Sequence, residues 1–367
     1  MTKGDPKVFG AVISKLIRKE NLTREESRDM FYEILDNAQT DMHQGAFLAA
    51  LAAKGETAEE IAGGWEAIYD LDTVKVVPET KGPLVDNCGT GMDSVKTFNI
   101  STAASIVAAA GGITLAKHGA RAITSACGTV DILEELGVDV ECEPEVVKNS
   151  IERAGIGIFN GTSPKVHPRA LGRILSQISF GTVLNIAASL ANPALPSYGV
   201  RGVYSRELLQ HAPLIMREIG YKKALVVYGL SDDGKRGMDE ASTLGETLVA
   251  ELKEDGDIQY SSFLPEDFGI KRAAPEDVRP LPDIHEEALR LVRVLSGAEN
   301  GPRRDIVCLN GGLILYLMEV SDSIKEGYHC ARELIHSGKA VNKLRDWVRE
   351  QNTQQEAGLA RLEKLFN

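Results

Sequence analysis

The texture of the chain changes once, and that change limits the fold. Up to residue 75 the sequence reads as helices only. "TREESRDMFYEILD" opens with Thr23 and carries Glu26 three positions on, and "TAEEIAGGWEAIYDL" repeats the spacing with Thr57 and Glu60. In that pattern a hydroxyl and a carboxylate cap each other's backbone N–H groups. Between them, "DMHQGAFLAALAAKG" is rich in small residues suited to close helix packing. "KVVPETKGP" then breaks the periodicity and marks a boundary. Beyond it, short apolar runs ("GITLA", "GIGIF", "ALVVYG") alternate with helical segments ("STAASIVAAAGG", "EPEVVKNSIERAG", "SRELLQHAPLIMREIG"). Alternation of this kind predicts an α/β domain with a mostly parallel sheet. "DIVCLNGGLILYLMEV" fits a strand or a buried helix equally well. The C-terminal "GYHCARELIHSGKAVNKLRDWVREQ" predicts an amphipathic helix.

A chain of 367 residues is long enough for one large domain and a smaller one. Its net charge of −12 argues against broad binding to nucleic acid or to an anionic membrane surface. No apolar run reaches the roughly 20 residues of a membrane helix, and "MTKGDPKVFGAV" lacks the apolar core of a signal peptide. Five scattered cysteines without a C-x-x-C pair predict reduced thiols and a cytoplasmic location.

The chemistry concentrates in four stretches. "DNCGTGMDSVKTFNIST" places Gly89, Thr90 and Gly91 before a polar turn, then Thr97, Asn99, Ser101 and Thr102 at the start of a helix. Glycines let a backbone approach an anion, and a helix N-terminus offers free N–H groups and partial positive charge. Together they predict a phosphate site, although a capped helix after a tight turn has the same residues. "AKHGAR" puts Lys117, His118 and Arg121 at the carboxyl end of a strand, where ligands of α/β sheets bind; Lys117 and Arg121 are candidates to neutralise a polyphosphate. "TSACGTVDILEELG" supplies Ser125 and Thr129 as a second phosphate turn or, equally, a helix cap. "RGMDEAS" brings the adjacent acids Asp239 and Glu240, oxygen ligands suited to Mg²⁺ beside a phosphate, with Asp93 a further acid near the glycine loop.

These stretches, with "NIAASLANPA" after "HP", occur in the order found in anthranilate phosphoribosyltransferases, and the chain resembles that family over nearly its whole length. The resemblance implies a small α-helical domain over residues 1–75, to which a segment near 165–195 returns. It also implies a large α/β domain over 76–367, with the active site in the cleft between the two. It implies transfer of the 5-phosphoribosyl group from PRPP to the amine of anthranilate, with release of pyrophosphate, Mg²⁺ as cofactor and a homodimer through the helical domain. Carried over by motif, Gly89, Thr90, Gly91, Asp93 and Thr97 belong to the PRPP loop. Asn99, Ser101 and Thr102 hold pyrophosphate, Ser101 also its metal. Lys117, Ser125 and Thr129 complete the phosphate site, and Asp239 and Glu240 bind metal. His118, Gly119 and Ala120 line the acceptor.

The sequence departs from the family pattern at four places. Met92 and Ser94 replace loop glycines. Ala120 replaces an asparagine near the acceptor. The loop "YGLSDDGKRGMDE" before Asp239 is longer than usual. Ser176, in "LSQISFG", stands where the family has an arginine for the anthranilate carboxylate, leaving Arg169 and Arg173 as the nearby replacements. A serine makes no bidentate, charge-assisted contact to a carboxylate. The departures leave three alternatives open: another aromatic or nitrogenous acceptor, a pyrimidine nucleoside phosphorylase, and a non-enzymatic relative that binds nucleic acid.

Overall fold

The computed structural model describes residues 4–91, 93–121, 127–178 and 180–366. Four helices come first: α1 (Pro6–Ile17), α2 (Arg24–Leu35), α3 (Asp41–Lys54) and α4 (Ala58–Asp72). Both reciprocal caps form. The Thr23 hydroxyl accepts from Glu26 N–H at 3.1 Å while the Glu26 carboxylate accepts from Thr23 N–H at 2.8 Å. Thr57 and Glu60 do the same at 3.2 and 2.8 Å. The close helix approach falls elsewhere than on the small residues of α3. Gly45 faces open space, whereas a Cβ on Gly63 of α4 would lie 2.4 Å from the Arg24 carbonyl of α2.

After an extended stretch, β1 (Val85–Gly89), α5 (Ile100–Ala110), β2 (Leu115–Gly119), α6 (Thr129–Glu135), α7 (Pro144–Ala154) and β3 (Ile156–Asn160) build the first part of the sheet. Two short helices, α8 (Leu171–Gln177) and α9 (Val183–Leu190), then leave it. The chain returns as β4 (Tyr198–Gly202), α10 (Arg206–Glu218), β5 (Lys223–Leu230), β6 (Gly237–Met238), β7 (Thr247–Leu252) and β8 (Ile258–Phe263). The tail is helical: α11 (Pro275–Val278), α12 (Ile284–Leu295), α13 (Pro302–Leu317), α14 (Ile324–His336), α15 (Lys339–Glu350) and α16 (Gln355–Lys364). The strand order is β3-β2-β1-β4-β5-β7-β8, with β6 beside β5. The first five strands are parallel, and β6, β7 and β8 add an antiparallel edge.

The ambiguous run is α13, whose 16 residues exceed an ordinary strand. A Cβ on Gly312 would come within 2.5 Å of the Tyr328 backbone, so glycine is what lets α13 lie directly on α14. The C-terminal amphipathic stretch is two helices, parted at Gly338 with φ +73°. Residues of α5, α13, α14 and α15 form one core against one face of the sheet. On the other face a second core joins α1–α4 to α8, α9 and α10. Two contacts fasten this second layer. The Trp65 indole donates to the Leu190 carbonyl at 2.9 Å. Buried Asp72, the last residue of α4, accepts the backbone N–H groups of Arg169, Ala170 and Leu171 at 2.5, 2.9 and 2.6 Å, which caps α8.

Candidate active site

The chain steps from β1 to β2 and β3 on one side and resumes at β4 on the other. Its crevice therefore opens at the carboxyl ends of β1 and β4, the switch point where ligands of open α/β sheets bind. Here the glycine loop meets the acidic pair. A Cβ on Gly89 would lie 2.1 Å from Asp239 Oδ2, and one on Gly202 would lie 1.5 Å from the Asp239 carbonyl oxygen. Gly91, at φ +68°, donates its N–H to Asp239 Oδ2 at 2.7 Å. Thr90 N–H donates to the Gly202 carbonyl at 3.0 Å, and the N–H groups of Ser94 and Val95 donate to the Gly237 carbonyl at 3.1 and 3.0 Å. The long loop before Asp239 closes on itself instead of displacing it. Ser231 N–H donates to the Arg236 carbonyl at 2.9 Å, and β6 pairs Met238 with Gly229.

Asp93, Asp239 and Glu240 thereby converge, with one oxygen of each within 4.8 Å of the others. Lys96 offsets Asp93 at 3.0 Å, and the Thr97 hydroxyl donates to Glu240 Oε2 at 3.4 Å. Burial and the Asp239 charge push the Asp93 carboxyl up to about 6. Burial, then Asp239 and Asp93, hold Glu240 well above the usual carboxylate range. Three crowded carboxylates with an all-oxygen donor set fit a hard divalent cation such as Mg²⁺. The helix start lies at the other end of the same loop. Asn99 caps α5 without a side-chain bond, and the buried Thr102 hydroxyl has no partner. Asn87 donates from its amide to the Ser101 carbonyl at 2.9 Å and ties α5 to β1.

Several expected phosphate contacts fall elsewhere. Lys117 is 1% exposed and donates to the Asn87 carbonyl and the Ser105 hydroxyl, so it braces β1 and α5. Arg121 is held by Asp131, Glu134 and Glu141 at 3.1, 2.8 and 2.7 Å, which neutralise it. At the second turn the Gly128 N–H is taken by Asp131 at 2.9 Å, and the Thr129 methyl would touch a Cβ on Gly119 at 3.2 Å. Ser125 and Met92 lie outside the described residues.

On the acceptor side, His118 is buried against His167 with 3.3 Å between their Nε2 atoms. His167 Nδ1 donates to the Asp72 carbonyl at 2.7 Å, which leaves its Nε2 as an acceptor facing His118 Nε2. A Cβ on Gly161 would strike His118 Nε2 at 2.6 Å. The Gly119 carbonyl accepts from Gly161 N–H at 2.7 Å and the Ala120 carbonyl from Val130 N–H at 3.3 Å, which orients the strand end. Arg169 is exposed, with its backbone N–H on Asp72. Arg173 donates to the Ile34 carbonyl at 2.9 Å and to Gln44 at 3.3 Å, a helix-packing contact. Ser176 is exposed and donates to the Arg173 carbonyl at 2.8 Å. Sequence reasoning did not assign His167 or Asp72 to the site.

Burial, then His167, pushes His118 down to about 3. The unfolded chain protonates this histidine near its ordinary value of 6.5. Between those values the unfolded state binds more protons. Stability from this group is complete above pH 6.5 and is lost as pH falls toward 3, at about 1.4 kcal/mol per unit. Denaturant midpoints between pH 7 and 4 should fall less steeply in His118→Gln than in the natural chain.

The family comparisons agree with this architecture. The model described as "Glycosyl transferase family, a/b domain" matches residues 81–341, and "Glycosyl transferase family, helical bundle domain" matches 11–71. The anthranilate phosphoribosyltransferase of Persephonella marina is 37% identical over 341 residues, 91% of this chain and 97% of its own length. The crystal structure of the anthranilate phosphoribosyltransferase from Thermus thermophilus superposes with a TM-score of 0.83 at 34% identity, covering 92% of this chain and 98% of that one. The Saccharomyces cerevisiae enzyme in complex with PRPP and Mg superposes at 0.81 with 25% identity, covering 95% and 99%. A two-domain glycosyl transferase of helical bundle and α/β sheet is thus the class. Within it, the chain belongs to the anthranilate phosphoribosyltransferase family.

Proposed function

We propose that this chain transfers the 5-phosphoribosyl group of PRPP to the amine of anthranilate and releases pyrophosphate, a step of tryptophan biosynthesis. The observation that carries the proposal is the convergence of Asp93, Asp239 and Glu240 on the Gly89–Gly91 turn, on the loop that leads into the uncapped start of α5. As C1 parts from pyrophosphate, negative charge builds on the leaving group, and bound Mg²⁺ supplies the charge that stabilises it. The carboxylates of Asp93, Asp239 and Glu240 would hold that ion. The backbone N–H groups of Ser101 and Thr102 at the start of α5 receive the phosphate oxygens. The buried His118–His167 pair stays neutral and shapes the acceptor wall, and the aryl amine attacks by alignment without a strong base. Residues 1–75 and 165–195 form the small domain. It also supplies a homodimer contact through α1 and α3, where Ile17 and Met42 are exposed.

A change of acceptor is the second reading, motivated by Ser176 and by the locked Arg173. One assay decides: loss of anthranilate fluorescence on addition of PRPP and Mg²⁺. Turnover dependent on both supports the proposal. PRPP binding without anthranilate turnover moves the acceptor to another aromatic amine. Phosphorolysis of uridine or thymidine without use of PRPP would replace it with the phosphorylase.

A further inference from the structure

Arg201 has no place in the reaction as derived above. It sits on β4 and is 3% exposed. Its two terminal nitrogens donate to the Cys88 thiol and the Ser189 hydroxyl, and none of the ion pairs among the described residues includes it. Asp86 in the same patch is a single acid whose field reaches both Lys117 and Arg201, so two cations stand against one acid. An arginine keeps its proton, and a buried cation that shares one acid with a second cation is costly unless something anionic completes it. A thiol is a weak acceptor and a hydroxyl a neutral one; a carboxylate would replace both with a bidentate, charge-assisted contact. Cys88 and Ser189, which cover the guanidinium, are only half-buried.

The position is specific as well. Cys88 pairs in register with Arg201, and each is followed by a glycine packed on Asp239, Gly89 and Gly202. The guanidinium thus stands one residue below the donor loop on both strands. Ser189 also meets His118, its carbonyl lying 3.4 Å from His118 Nδ1. Arg201 therefore lies between the PRPP turn and the acceptor wall. In an ortho-aminobenzoate the amine is next to the carboxylate, so a carboxylate held here keeps the amine beside the donor loop. We propose that Arg201 is the carboxylate-binding, specificity-determining residue of the acceptor site. This rests on the phosphoribosyl-transfer reading and assigns the cation of its acceptor site.

The test compares the natural chain with Arg201→Gln, Arg201→Lys and Arg169→Gln, using anthranilate and aniline as acceptors. Arg201→Gln should raise the KM for anthranilate by about 10²-fold. It should also erase the preference for anthranilate over aniline and leave the PRPP dissociation constant within about twofold, a smaller shift than losing a charged contact produces. Arg201→Lys keeps the charge without the planar fork and should fall between; it also serves if the glutamine variant does not fold. Arg169→Gln tests the exposed alternative: an anthranilate KM raised there and not in Arg201→Gln overturns the proposal. An unchanged anthranilate KM in Arg201→Gln overturns the proposal. Weakened PRPP with acceptor preference intact also overturns it and gives Arg201 to a phosphate. Calorimetric titration of benzoate separates this from the reaction itself. If anthranilate is not turned over but benzoate binds the natural chain and binds Arg201→Lys about tenfold more weakly, the transfer reading fails and the carboxylate site stands. If benzoate does not bind the natural chain, the site falls.

Discussion

Asp239→Asn should lower phosphoribosyl transfer by about 10³-fold at ordinary Mg²⁺, with part of the loss recovered as Mg²⁺ is raised. The asparagine keeps an oxygen for the Gly91 N–H, so the turn survives. What disappears is one of three charges that converge within 4.8 Å, and with it much of the attraction for a divalent ion. Gly89→Ala should reach a similar result by shape alone, because its methyl would occupy the space of the Asp239 carboxylate. The measurement is kcat against Mg²⁺ at saturating PRPP. An Asp239→Asn enzyme with the Mg²⁺ dependence of the natural chain would remove the acidic triad from the reaction.

The second large effect is on stability. Asp72→Ala should destabilise the protein by about 3–5 kcal/mol. Three backbone N–H groups at the start of α8 lose their acceptor in a buried place where water does not replace it. Asp72→Asn retains an acceptor oxygen and should cost roughly half as much. Urea midpoints of the three proteins check the order. Because Arg169 at the approach to α8 lies two residues from His167, which rests on the Asp72 backbone carbonyl, freeing that end in the alanine variant should disturb acceptor binding more than PRPP binding. Equal loss of both would mean that α8 supports the whole cleft.

Much of this was legible in the sequence, and the parts that were not share a cause. The capped helices, the glycine turn and the acids at 239 and 240 are local patterns, and local physics fixes them. β1 and β4 were not read as strands because "VDNCG" and "YGVRG" carry Asp86, Asn87 and Arg201 in their middles. The antiparallel edge was missed because β8 has no buried residue and is mostly polar. The role of a cation is set by what packs against it. Lys117 and Arg121 lie in a phosphate-like motif, yet one is sealed beneath α5 and the other is held among three acids. Arg173 likewise stands near the acceptor in sequence and turns to α2 in space.

The excursion of the chain between β3 and β4 has a consequence for how such an enzyme can diversify. The donor turn, the acids and the start of α5 come from residues 86–102 and 237–240, while α8 and α9 come from a separate loop-out that touches neither in sequence. On the reading proposed above, one stretch carries the leaving-group chemistry and the other supplies part of the acceptor wall. Substitutions in α8 and α9 would then redraw that part while the leaving-group machinery is inherited intact.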